Sequence, residues 1–310
     1  MCGRTACTLK SEEIICSCKY KSKNNREEKD ILPKYRNEYN LGKQYIPKYN
    51  LAPSDICLIL VSSKHFSDNE DSSNRTLIPA LWGLIPRWHK GDYKKHGLTT
   101  NNARLETLES SKLFNPLLER GKRCVMVIEG FYEWKTTNSK LKSSEREVFF
   151  IHMPQINEHV KMEDKSTWKN CEQIRLMYVA GLFDIWYDDK GDSIYSFTVI
   201  TFESNDFLGW LHHRTPAILE TEEQITTWLD YENFSRDEAL RMIKQPKTII
   251  WYEVSNYVNN IRNQTDKCKK PLDRKAEANK GIMKFFNKRK KDEEDDCGPS
   301  PKKQSMAEFE

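Results

Sequence analysis

Residues 124–134 read Cys124-Val125-Met126-Val127-Ile128-Glu129-Gly130-Phe131-Tyr132-Glu133-Trp134. The first five form a short apolar run bounded by a turn residue, which reads as a strand. Gly130 makes the turn, and Phe131 to Trp134 begin the next strand. The same grammar recurs along the chain. Residues 57–61 read as a buried strand. Residues 77–88 are strand-like and then broken by Gly83 and Pro86. Further strands are expected at 148–152, 176–183, 196–202, 215–219 and 249–254. Helices are fewer. Residues 105–120 carry Leu105, Leu108, Leu113 and Leu117 or Leu118 at helical spacing. A short helix is expected over 205–211, and Thr221 and Ser235 are N-caps of two more, the second ending near Lys244 before Pro246. Many short strands with few helices predict an α+β protein. It is a single domain around a curved, mostly antiparallel β-sheet or barrel with flanking short helices.

The chain has 310 residues, enough for a full core. Its mean hydropathy of −0.79 is low, so polar segments must dilute that core. They are found at 17–44, 62–76, 135–146 and 155–173. After about Arg262 the chain turns to Lys, Arg, Asp, Glu, Asn and Gln. The expected division is therefore a domain over 2–262 and a disordered charged tail over 263–310. A net charge of +4 is compatible with nucleic acid without proving it. No run of ~18 apolar residues occurs, so no transmembrane helix is expected, nor is a secretory leader. The P-loop, the dinucleotide fingerprint and the zinc-protease and hydrolase-elbow motifs are missing. Nine cysteines read mostly as reduced thiols. Cys2, Cys7, Cys16 and Cys18 lack the spacing of paired zinc knuckles.

The chain opens Met1-Cys2-Gly3-Arg4. Loss of Met1 would leave Cys2 with a free α-amine and a thiol on one Cα. That pair condenses with an aldehyde to a Schiff base and closes to a thiazolidine. The amine titrates near ~8 and the thiol near ~8.5, so modest help makes both nucleophilic. An N-terminal nucleophile needs a proton manager. Glu133, flanked by aromatics, is a candidate because desolvation raises a carboxyl pKa. Either His212 or His213 is a second candidate, and in a strand adjacent side chains face opposite ways. Asn102 sits just before the expected helix and reads as an oxyanion donor or a plain N-cap. Arg4, Arg104 and Arg214 lie in apolar motifs and suit phosphate. Trp82, Trp88 and Trp134 suit base stacking or the core, and one exposed ring is expected.

Taken together, these pieces resemble the SRAP family, named for SOS-response-associated peptidase. The matching runs are Met1 to Arg4, Tyr49-Asn50 with Ala52-Pro53, Trp82 to Pro86 with Trp88, Asn102-Ala103-Arg104 with Glu106, Gly130 to Trp134, His212 with Arg214 and Pro216, and Val254-Ser255 with Val258-Asn259. Thr215 stands where the family usually has Met. The resemblance implies that Cys2 attacks the ring-opened aldehyde of an abasic site in single-stranded DNA, giving a thiazolidine crosslink that shields the site. It implies that Glu133 handles protons at the α-amine, that His212 protonates the sugar ring oxygen, and that Asn102 holds Cys2 and the sugar. Arg4, Asn50, Arg104 and Arg214 would contact the DNA backbone, with Trp82 and Trp88 wedged against stacked bases. No cofactor or metal is expected, and a monomer is. A noncovalent reader of single-stranded or modified DNA is the alternative.

In the tail, Ile282, Phe285 and Phe286, with Asn279 in place of Gln, resemble the peptide that docks on the replication sliding clamp. Lys288-Arg289-Lys290-Lys291 follows, as a nuclear import signal or a nonspecific DNA contact, so a nuclear location is expected.

Overall fold

The computed structural model describes residues 3–21, 30–38, 40–137 and 141–275. Met1, Cys2 and the clamp-like motif of Ile282, Phe285 and Phe286 lie outside the described residues. Five strands close on one another. Ile56–Ser62 pairs antiparallel with Arg75–Trp82 and with Arg123–Ile128. Arg123–Ile128 pairs with Met177–Tyr187, which pairs with Ser193–Glu203. Ser193–Glu203 returns to Arg75–Trp82 in parallel, Ser196 opposite Leu81 and Phe197 opposite Trp82. Closure into a barrel removes the free edges that an open sheet would expose. Every residue of Ile56–Ser62 and Arg75–Trp82 is buried. That explains runs without polar alternation: both faces of these strands are covered.

A second, five-stranded antiparallel sheet lies in the order Ile250–Val254, Val148–His152, Gly130–Trp134, Thr5–Cys7, Lys48–Leu51. The segment 124–134 joins the two systems. Residues up to Ile128 belong to the barrel, and Gly130 starts the other sheet opposite Ala6 and His152. The expected turn is thus a corner between sheets. It needs glycine, because a Cβ at position 130 would stand 2.4 Å from the Ile151 carbonyl oxygen and 2.6 Å from Phe150 Cζ. The first of these is backbone and cannot swing away. Gly130→Ala is expected to lose about 2–4 kcal/mol of stability, as overpacked buried sites do. A urea midpoint unchanged from wild type would refute this.

The expected strands are all present, within a few residues at each end. The two capped helices form as Glu222–Leu229 behind Thr221 and Arg236–Met242 behind Ser235, each with a capping box. The 105–120 helix does not. A 3-10 turn covers Leu105–Thr107, and an α-helix covers only Asn115–Glu119. Between them the Ser111 hydroxyl accepts from the N–H groups of Leu113 and Phe114. Ser111 thereby offers the backbone a local alternative to helix, and Pro116 restarts the helix in its first turn. Asn102 caps no helix. It begins the strand Asn102–Arg104, parallel to Ser193–Glu203.

The compact unit runs through Pro271, past the expected boundary at 262. Lys269 is the reason. Its ammonium is 1% exposed and ion-paired with Glu129, itself fully buried at the corner. Among the described residues no helix is long and apolar enough to cross a membrane, and no group of His, Cys, Asp or Glu is arranged to hold a metal ion. Burial pushes the thiols of Cys7 and Cys18 up to about 12, so both are protonated at neutral pH.

Candidate active site

The strand Thr5–Cys7 lies between Lys48–Leu51 and Gly130–Trp134, with Thr5 opposite both Leu51 and Phe131. Antiparallel pairing therefore lays Gly3 and Arg4 alongside Tyr132 to Trp134. The Tyr132 N–H donates to the Arg4 carbonyl at 2.9 Å. A pocket of about 450 Å³ opens here, lined by Arg4, Glu133, Trp134, Thr136, Ser144, Arg146, His212 and Asn259. Three of the expected site residues, Arg4, Glu133 and His212, thus meet at one place, where the first strand begins.

Glu133 is 4% exposed. Burial pushes its carboxyl up to about 7, against the pull of the chain's α-amino charge and the Trp134 N–H. At neutral pH such a group is populated both as acid and as base. His212 is also buried. Burial first, then the α-amino charge and His213, lower its pKa to about 4, so the imidazole is neutral at pH 7. Its Nδ1 lies 3.0 Å from the Arg214 N–H and 3.3 Å from the Arg214 carbonyl oxygen, and the tautomer in which Nδ1 accepts the N–H carries its proton on Nε2. The two histidines do not alternate across a strand. They precede Arg214–Pro216, and their rings stack with centroids 4.3 Å apart. The His212 segment is held by its N–H to the Leu208 carbonyl at the short helix Asp206–Gly209. The Thr136 N–H donates to the Leu211 carbonyl at 2.9 Å, which ties that segment to the pocket's hairpin.

The residues expected to touch DNA divide. Trp88 is 65% exposed on the turn after the barrel strand Arg75–Trp82, as a stacking wedge requires. Arg104 is exposed at the end of its strand. Trp82 is fully buried, and its indole N–H donates to the Asn101 carbonyl at 3.0 Å. It is a core residue, which corrects the wedge expectation. Asn50 is also corrected. It is 1% exposed, and its amide donates to the Val258 and Asn260 carbonyls while its oxygen accepts from Arg4. Arg4 bonds the Val258 and Asn259 carbonyls too and lies 5.7 Å from the Trp134 ring. Together Arg4 and Asn50 fix the 256–260 turn as the pocket's wall. Arg214 forms a two-pronged pair with Glu106, both contacts 2.9 Å, and donates to the Thr201 carbonyl. Burial works to raise the Glu106 carboxyl, but Arg214 and two backbone N–H groups hold it below its ordinary value. Within this structure Glu106 therefore balances the Arg214 charge.

Asn102 is half-buried and stands outside the pocket's lining. Three residues went unnoticed in the sequence. Glu129 and Lys269 are 140 positions apart, and Arg146 lies in a stretch read as polar insertion.

A closed barrel carries beside it a five-stranded sheet, and where the strand Thr5–Cys7 of that sheet begins a pocket holds a buried carboxyl and a neutral imidazole. Residues 1–261 match the family model described as SOS response associated peptidase (SRAP), and the chain belongs to that family. It is 37% identical to the abasic site processing protein HMCES of Xenopus tropicalis, over 97% of this chain and 90% of that one. It is 34% identical to the Gallus gallus protein of the same name, over 88% and 78%. The abasic site processing protein YoaM of Bacillus subtilis is 32% identical over 72% and 84%. A crystal structure of a protein from Bacteroides thetaiotaomicron superposes with a TM-score of 0.60 at 19% identity, over 87% of this chain and all of that one.

Proposed function

We propose that this protein senses abasic sites in single-stranded DNA and shields them in a covalent crosslink through Cys2, once Met1 has been removed. The observation that carries the reading is the pocket at the start of the first strand, where Glu133 and His212 flank Arg4. Gly3 enters that strand, and one peptide unit keeps the Cα of residue 2 within ~3.8 Å of that of Gly3. An aminothiol at position 2 is thus within side-chain reach of the acid–base pair.

The chemistry follows from the groups. The neutral α-amine adds to the aldehyde of the ring-opened sugar and gives a carbinolamine. Protonation of its hydroxyl releases one water and leaves an imine. The thiol then adds to the imine carbon, its proton passing to nitrogen, and a thiazolidine closes. Glu133 suits both the uptake of the amine proton and the return of a proton to the leaving hydroxyl. His212 is neutral at pH 7, and in its Nε2–H tautomer it suits a hydrogen bond to the sugar ring oxygen as it opens. Release of Met1 by the protein itself would use the same carboxyl. The names of the relatives support the substrate, and Trp88 supports single-stranded DNA. The sliding clamp is proposed as a partner of the motif around Phe285 and Phe286, which would bring the protein to replicating DNA in the nucleus.

The test is intact mass after incubation with a single-stranded oligonucleotide carrying one abasic site. The wild type is expected to gain the mass of the DNA less one water, without borohydride, and Cys2→Ala is expected to gain nothing. Wild-type protein that lacks Met1, binds the DNA and gains no mass would leave only the noncovalent reader.

A further inference from the structure

We propose that Arg146 is the phosphate anchor of this pocket, its guanidinium taking a phosphodiester oxygen beside the reacting sugar. The inference rests on the DNA reading above and assigns a residue to it.

Several cations line or back the pocket. Arg4 has three acceptors, the Asn50 side chain and the Val258 and Asn259 carbonyls. Arg214 is closed off by Glu106. His212 carries no charge at neutral pH. Arg146 lines the pocket and is half-buried. Its Nε is buried with no hydrogen-bond partner among the described residues, as is that of Arg214, but no carboxylate among them pairs with the Arg146 guanidinium as Glu106 does with Arg214. The neighbouring carboxylates are turned elsewhere. Glu147 pairs with Lys135 at 2.9 Å, and Glu145 accepts the Lys142 N–H.

Arg146 is also well placed in the backbone. It stands two residues before the strand Val148–His152. The ladder of that strand with Gly130–Trp134 reaches Trp134 opposite Val148 and continues as Lys135 N–H to the Glu147 carbonyl at 2.9 Å. The next cross-strand neighbours are Thr136 and Arg146, both in the pocket's lining. Its base is therefore set by a hairpin tied to the His212 segment through Thr136. A desolvated N–H without a partner is unfavourable in the empty protein. A phosphate oxygen relieves it, and the planar fork of Arg fits a phosphate in two-pronged fashion.

The test is equilibrium binding of a fluorescent single-stranded oligonucleotide without an abasic site, over a range of potassium chloride, to full-length wild type, Arg146→Gln and Arg146→Lys. Losing one phosphate contact is expected to flatten the log–log salt slope by about 0.7. Arg146→Gln is expected to bind roughly tenfold more weakly at low salt, whatever the sequence. Arg146→Lys should recover the slope but not the full affinity, because the charge returns without the fork. With an abasic oligonucleotide, Arg146→Gln should raise the DNA concentration for half-maximal crosslinking and leave the saturated rate alone. A slope for Arg146→Gln equal to the wild type's, in protein with unchanged near-ultraviolet circular dichroism, overturns the proposal. A wild type that forms no crosslink while Arg146→Gln still flattens the slope sinks the covalent reading and leaves the anchor standing.

Discussion

Glu133→Gln is expected to slow crosslink formation by roughly 10²–10⁴-fold, the usual weight of a positioned acid–base group, and at the same time to stabilise the protein. The two effects share one cause. A carboxyl pushed from its ordinary 4.5 up to about 7 by burial is useful because the folded protein holds it against its solvation preference. On the kinetic side, the carboxylate takes the amine proton, so this contribution falls as pH drops through about 7. The carboxylic acid returns a proton to the leaving hydroxyl, so that contribution falls as pH rises through the same value. The wild-type pH–rate profile should carry an apparent pKa near 7 that Glu133→Gln lacks. On the stability side, the unfolded carboxyl releases its proton at lower pH than the folded one. Stability therefore declines as pH rises from about 4.5 to about 7 and is level above that. Gln cannot ionise, so at pH 8 the variant should recover on the order of 3 kcal/mol. At pH 4 the gain should vanish. Single-turnover crosslinking from pH 5 to 9, with urea unfolding at pH 4 and pH 8, reads both. A variant with the wild-type rate and profile would remove Glu133 from the chemistry, whatever its stability did.

Such opposition between stability and activity marks a site where local rules are broken for a purpose. Glu133 was legible because a charged residue interrupts an aromatic strand, and His212 because it stands before an apolar one. The strands were legible for a related reason. A closed barrel buries both faces of its strands, so they stand out as apolar runs such as Ile56–Ser62. What sequence could not supply were partners far along the chain. Trp82 and Trp88 share one short motif, yet one is fully buried and the other 65% exposed. Nothing in Trp82-Gly83-Leu84-Ile85-Pro86-Arg87-Trp88 says which ring turns inward. Arg214 reads as a phosphate clamp in sequence, and nothing near it announces the pair it forms with Glu106, 108 positions away. No continuous helix forms over 105–120 despite the leucine spacing, because the hydrogen bonding of Ser111 and the ring of Pro116 set the backbone there. Arg146 was hidden because it ends the polar stretch 135–146, which reads as filler until the pocket beside it is known.

The domain boundary is the other place where a distant partner decided the outcome, and it carries the largest expected loss of stability. Lys269→Met should destabilise the fold by about 3–5 kcal/mol, the usual consequence of removing one member of a buried ion pair. Glu129 sits at the corner between barrel and sheet with no exposure. One of its oxygens accepts the Thr8 N–H and, at 2.7 Å, the Thr8 hydroxyl, and the other accepts from Lys269. The Lys269 ammonium also lies 4.6 Å from the Trp168 ring and 5.6 Å from the Tyr49 ring. A single carboxylate therefore joins the end of the first strand, the corner at Gly130 and a segment that composition alone assigned to the tail. Methionine fills the space but leaves the carboxylate buried without its cation. The double variant Glu129→Gln/Lys269→Met removes the stranded charge, so it should recover much of the loss, and the coupling from the cycle should exceed ~1 kcal/mol. Urea unfolding of wild type, both single variants and the double closes the cycle. The salt slope of DNA binding should not change with Lys269→Met, because Lys269 is buried and faces no ligand. If Lys269→Met stays within about 1 kcal/mol of wild type, residues 263–271 are an appendage laid against a finished fold. If it falls by the larger amount, the domain needs those residues to hold its first strand, and with it the site at that strand's beginning.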